Sequence, residues 1–182
     1  APQAYVVPQQ WREAIERLEW NGVRMERIEA DRLQEVTYYQ IRSVTSRPSA
    51  YEGHLFHDEV VLERRIGQVL LRAGDYIVPL DQDRARYAVE MLEPLGHDSF
   101  FRWGFFNSVL EKKEHYSDYV FEDEAEKLLA EEPELAAKFA EWKAANPGLL
   151  SSQEAVLDFI YANCARYREP EWNRYPVFMI AR

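Results

Sequence analysis

Residues 36–45 read Val36-Thr37-Tyr38-Tyr39-Gln40-Ile41-Arg42-Ser43-Val44-Thr45. Seven of the ten are β-branched or tyrosine, and Tyr39, Ile41 and Ser43 fall on one period-two face, so the run is a strand and not a helix. A second run confirms the period: Val60, Leu62, Arg64 and Ile66 share one face, opposite Val61, Glu63 and Arg65. Upstream, Val23, Met25 and Arg27 alternate with Arg24, Glu26 and Ile28. Downstream, Gly67 and Gly74-Asp75 punctuate Val69-Leu70-Leu71 and Tyr76-Ile77-Val78. This pattern predicts a meander of antiparallel strands joined by short turns over roughly 23–80. No βαβ rhythm and no glycine-rich strand-to-helix turn occurs, which argues against a doubly wound nucleotide fold.

On either side of the strands the period changes to that of a helix. Pro8 suits an early helical position, Trp11, Ile15 and Leu18 form one stripe, and Asn21-Gly22 stops it. Asp83 is placed to cap a helix carrying Tyr87, Ala88, Met91 and Leu92, which Pro94 closes. Asp98 is placed to cap the aromatic segment Phe100–Leu110. Phe121–Glu132 buries Ala125, Leu128 and Leu129; Pro133 opens a helix with Leu135, Phe139 and Trp142 at i, i+4 and i+7. Ser151 and Glu154 have capping-box spacing ahead of Val156, Phe159 and Ile160. Tyr175–Ile180 reads as a last strand, with Pro176 at its start or on an edge. The expected architecture is α+β, one domain over 1–182, mainly strand-rich over 1–82 and mainly helical over 83–182.

Composition agrees. Of 182 residues, 47% are hydrophobic and 30% charged, enough to bury a core and too apolar for disorder. The net charge of −10 disfavours a phosphate-backbone partner, so no nucleic acid is expected. Between Glu111 and Lys143 eleven acidic residues face five lysines, all the lysines of the chain, as on a solvated helical face. The single cysteine, Cys164, allows no intrachain disulfide and sits in the apolar pattern Leu157, Ile160, Tyr161, Cys164, as a buried thiol would. No run reaches the ~18 apolar residues of a membrane span.

Chemistry-bearing residues are few. His54 and His57 form an H-x-x-H pair followed by Asp58-Glu59, but Gly53 and the strand beyond place them in a loop. A zinc site there would need a third ligand. His97 fits a turn and His115 a helix end. No G-x-S-x-G elbow exists. The segment Phe100-Phe101-Arg102-Trp103-Gly104-Phe105-Phe106 carries five large rings, too many for one helical stripe. It reads as a core helix wedged between sheet and helices, or as a stacking platform for sugar or peptide.

Several segments together resemble the C-terminal extension of large bacterial zinc-carboxypeptidase-like proteins, carboxypeptidase A-type metallopeptidases. They are Ala4-Tyr5-Val6-Val7-Pro8 with Trp11, Leu18-Glu19-Trp20-Asn21-Gly22-Val23, Tyr51-Glu52-Gly53-His54, and Gly74-Asp75-Tyr76 with Pro79 and Asp81-Gln82. Next come Ala88-Val89-Glu90-Met91-Leu92-Glu93-Pro94 and Asp98-Ser99-Phe100-Phe101 through Trp103, Phe105-Phe106, Lys113-Glu114, Tyr119 and Phe121-Glu122. Arg174-Tyr175-Pro176-Val177 ends the likeness.

In that family, the resemblance implies, zinc is held by an H-x-x-E pair and a distant histidine, with a glutamate as general base. Here His54 is followed three residues on by His57, His97 by Phe100 and His115 by Asp118, so no such pair is present. None of the seventeen arginines can be singled out for a substrate carboxylate. The resemblance therefore implies a noncatalytic accessory domain with no catalytic, cofactor or metal residues of its own. Its partner would be the catalytic peptidase domain of the same polypeptide, absent from this chain and expected to hold the zinc, in a periplasmic or secreted protein. The candidate contact is the loop of Tyr51, Glu52, His54 and His57. The rival readings are a glycan- or peptide-binding module using that loop or the aromatic segment, and a small metalloenzyme built on His54 and His57.

Overall fold

The structure, a computed structural model, describes residues 2–111, 118–164 and 173–181. It is α+β. By contacts the chain falls into two compact units: Ala1–Glu111 with Asn173–Arg182, and Lys112–Trp172.

The first unit holds one antiparallel six-stranded sheet. Its strands are β1 (Ala4–Val7), β2 (Glu26–Arg27), β3 (Arg32–Ser46), β4 (His57–Leu71), β5 (Tyr76–Pro79) and β6 (Phe178–Ile180), in the order β2-β5-β1-β6-β3-β4. The expected meander is not what forms. Among the described residues only β3 and β4 are sequence neighbours that pair; β5 pairs with β1 and β2 instead of β4. The chain's two end strands, β1 and β6, meet at the centre, with Tyr5 opposite Met179 and Val6 opposite Phe178. Four residues of β1 carry too little periodicity to be told from the start of the helix that follows, and that strand is absent from the sequence reading.

Gly67 does not end a strand. It lies within β4 opposite Val36, and a Cβ there would sit 3.4 Å from the Tyr38 ring, so the glycine makes room for a cross-strand aromatic. The real turn is at Gly74, whose φ of +97° suits glycine, and the buried Asp75 carboxylate ties it down. That carboxylate accepts from the backbone N–H of Gln9 at 3.0 Å and of Arg72 at 2.8 Å.

Alternation sends the strands' apolar side chains to two faces. Tyr5, Val7, Ile41, Val78 and Met179 join one cluster with α1 (Arg12–Trp20) and α2 (Ala85–Leu92), through Ile15, Leu18, Ala88 and Leu92. Val6, Ile28, Val36, Val69, Leu71 and Phe178 form a second cluster. The Tyr5 hydroxyl donates to Glu93 at 2.5 Å, and that of Tyr175 to the Leu92 carbonyl at 2.7 Å, which ties both ends of the chain to the end of α2. Burial, helped by the Glu93 carboxylate, pushes both phenols above their ordinary range.

The second unit carries α3 (Asp118–Glu131), α4 (Pro133–Ala145) and α5 (Gln153–Asn163). Leu128, Leu135, Phe139, Leu157, Ile160 and the buried Cys164 make its core, and Trp142 stacks on Phe159 at 4.8 Å. Pro133 opens α4 as expected. The cap of α5 is Ser152, one residue beyond the expected Ser151, and its hydroxyl accepts from the N–H of Ala155 at 3.2 Å. His115 and Lys113-Glu114 lie outside the described residues. No helix among the described residues is long and apolar enough to cross a membrane.

Candidate functional site

The Tyr51–His54 loop is a two-residue hairpin turn. Tyr51 and His54 exchange both backbone hydrogen bonds, N–H to C=O at 2.9 and 3.0 Å. The two residues between them, Glu52 and Gly53, have φ of +48° and +81°, the handedness such turns require. For Glu52 that conformation costs about 1–2 kcal/mol, stored strain of a kind that clusters at functional sites. The turn points Tyr51 outward, 58% exposed, and holds His54 half-buried.

The aromatic segment is not the helix that Asp98 was placed to cap. It is a series of turns ending in a 3₁₀ turn at Asn107–Val109, with Gly104 at φ +79° reversing the chain. Turns solve what a helix cannot. Phe100, Phe101 and Phe106 point into the core, while Trp103 and Phe105 are left partly exposed. Asp98 instead accepts from the Trp103 indole N–H at 3.3 Å.

The two candidates kept apart in the sequence reading come together here. The His54 imidazole stacks on Phe105 at 5.7 Å with 13° between planes and meets Trp103 edge-on at 5.9 Å. Tyr51 lies 6.3 Å from Trp103, and the buried Phe56 packs beneath Trp103 at 5.2 Å. The far face of the band is set by α1: the Arg17 guanidinium lies 4.5 Å above Phe105 and 5.9 Å from Trp20, itself 74% exposed. At the other end Arg47 covers Phe56 at 4.6 Å and pairs with Asp58 at 3.0 Å. The rings and arginines run without a break from Trp20 to Tyr51.

His57 drops out of the contact set. It opens β4, is only 3% exposed, and both its ring nitrogens are occupied: Nδ1 by the Ser46 hydroxyl at 2.8 Å, Nε2 by the Asn107 amide oxygen at 2.7 Å. An imidazole so bonded has no lone pair to offer a metal, so the pairing of His54 with His57 on one ion does not fit this geometry. His97 is exposed in a turn. The band's other members, Trp20 and Arg17, carry no motif. In sequence Trp20 is simply the last residue of an amphipathic helix, and its exposure is a tertiary fact.

A measurement separates the two histidines. Removing His57 strands Ser46 and Asn107 and leaves a void, so His57→Ala is expected to lower unfolding free energy by about 2–4 kcal/mol. Tyr51→Ala, on the exposed turn, is expected to stay within ~0.5 kcal/mol. Equal losses in urea titrations of the two variants would refute this division of roles.

Over 105 residues the chain is 33% identical to Carboxypeptidase 2 of Trichophyton tonsurans and to the protein of the same name from Trichophyton equinum. It is 32% identical over 94 residues to a probable carboxypeptidase 2 of Trichophyton verrucosum. Part of this chain is similar to part of these carboxypeptidases. The longer matches take in 57% of it and 19% of each relative, so the chain spans about a fifth of the length of the curated relatives it matches. No protein-family model matches it, and no solved structure matches it with significance.

Proposed function

We propose that this chain is a noncatalytic accessory domain of a carboxypeptidase-like hydrolase, packing on the peptidase domain or shaping its cleft. The observation that carries the reading is the partial relationship itself: likeness to a fifth of a carboxypeptidase, in a sequence without the H-x-x-E pair. On this reading zinc belongs to the peptidase domain of the same polypeptide, and the whole is periplasmic or secreted. A second reading, a ligand-binding module, is supported by one specific observation, the band of rings around Tyr51, Trp103 and Trp20.

The test is made on the full reading frame that contains this sequence. Deleting 1–182 from the encoded protein is expected to lower its melting temperature by several degrees, or its peptidase kcat/KM about tenfold, because a packed neighbour stabilises the domain it covers. A frame with no peptidase domain, or a deletion that leaves both quantities unchanged, would end the accessory reading.

A further inference from the structure

We propose that the band from Trp20 to Tyr51 is the face that docks against the peptidase domain of the same polypeptide, onto a partner surface of apolar side chains and carboxylates. The inference rests on the accessory-domain reading and adds the place of contact. Trp20 and Tyr51 are exposed, and so is Leu55, which lies between His54 and Phe56. The rings of those two neighbours both pack on Trp103. Phe105, stacked by His54 and covered by Arg17, offers no open face and braces the others from within. Exposed apolar side chains gathered in one place mark an interaction site.

Composition points to protein as the occupant. Protein interfaces are enriched in aromatic residues and arginine and depleted of lysine, and their hot spots are chiefly Trp, Tyr and Arg. The band carries Trp20, Trp103, Tyr51, Arg17, Arg47 and Arg102, and every lysine of the chain lies elsewhere, between 112 and 143.

Charge selects among protein partners. Arg17 and Arg47 face Glu13 and Asp58, whereas Arg12 and Arg102 have no carboxylate partner among the described residues. The Arg102 guanidinium lies 5.9 Å from the Phe56 ring and donates to the carbonyl oxygens of His57 and Asp58, and its buried Nε bonds to nothing described. Arg12 stands on the wall of a concavity of about 320 Å³ that it shares with Trp11 and Phe105, room for a protruding partner side chain. Carboxylates on the partner would answer both cations.

A second copy of this chain fits poorly. It carries the same net charge of −10, and a twofold pairing would set the band against itself, arginines included. The peptidase domain meets neither objection, and it is tethered. The chain matches only 19% of each relative, so on the accessory reading most of the polypeptide lies outside it. A short tether raises the local concentration of a partner to about the millimolar range, so a modest band suffices to hold the two domains together.

The test is hydroxyl-radical footprinting of the full-length protein, with its mass measured by light scattering. After correction for intrinsic reactivity, Trp20 and Tyr51 should be oxidised about tenfold more slowly than open side chains, as the buried Tyr5 and Tyr175 are. In the Tyr51→Ala, Leu55→Asp double variant Trp20 should regain an open rate, and the melting curve should fall or split into two transitions. Continued protection of Tyr5 and Tyr175 establishes that this variant is folded. Open rates at Trp20 and Tyr51 in a wild-type monomer that contains a peptidase domain would overturn the proposal, leaving the accessory reading to its own deletion test. Trp20 still protected in the folded double variant would overturn it as well. Protection that fades on dilution of a dimer would make a second copy the occupant and the proposal wrong. A reading frame without a peptidase domain would end both readings before any labelling.

Discussion

Replacing Phe101 by alanine is expected to destabilise the sheet-bearing unit by about 3–5 kcal/mol. Phe101 is fully buried, its ring centroid 5.5 Å from that of Tyr175 and 5.2 Å from that of His57. Tyr175 leads into the central strand β6, and His57 opens the edge strand β4. The ring therefore fills the space between two parts of the sheet that the sequence brings from 118 residues apart, and a methyl group in its place leaves a cavity that neither neighbour can close. Chemical denaturation monitored by tryptophan fluorescence measures the loss, and a midpoint within experimental error of the parent's would contradict the packing described. Since a typical domain is stable by only ~5–15 kcal/mol, this one change should remove a large part of the total.

Gly96→Ala is expected to cost about 3 kcal/mol by a different route, overcrowding instead of a void. The Pro94-Leu95-Gly96 turn runs back against the last part of α2, so that a Cβ at position 96 would lie 2.1 Å from the Glu90 carbonyl oxygen. That oxygen belongs to helix backbone and cannot swing aside as a side-chain tip would. The clash must be relieved by moving the turn, which also positions Ser99 through its N–H to the Gly96 carbonyl and so leads into the aromatic segment. Gly96→Ala should therefore lower the melting temperature and also disturb the near-ultraviolet signal of Trp103. A melting curve superimposable on the parent's would show that the turn is looser than this.

The contrast between these two sites shows what could be read in advance. Phe101 is conspicuous in sequence because it sits among four other large rings; that it must be housed follows from its size alone. Gly96 has no such signal. Its role comes from the turn's close return to the α2 backbone, and nothing in Leu95-Gly96-His97 announces the contact with Glu90. Gly67 and Gly74 show the same ambiguity. Both read as turns, yet only Gly74 is one, while Gly67 makes room within a continuous strand for a tyrosine across the ladder.

Elements whose periodicity runs over nine residues or more were legible: β3, the helix opened by Pro133, and the stripe of Ile15 and Leu18 that buries α1. These depend on local alternation, which a one-dimensional string preserves. The α+β class follows from them, as does the burial of Cys164. By contrast, the order of the strands is a matter of long-range pairing. β1, of four residues, is too short to carry a period, and β6 was legible as a strand but not in its pairing, yet the two meet from opposite ends of the chain at the sheet's centre. The candidate site divides in the same way. The sequence singled out Tyr51, His54 and the five rings by residue type, but it left them as separate possibilities. Only the tertiary structure decided that the hairpin turn lies on Trp103 and Phe105, that Trp20 and Arg17 extend the same band, and that His57 faces inward. Side-chain chemistry is written residue by residue, whereas proximity between residues fifty apart depends on how the chain folds back on itself.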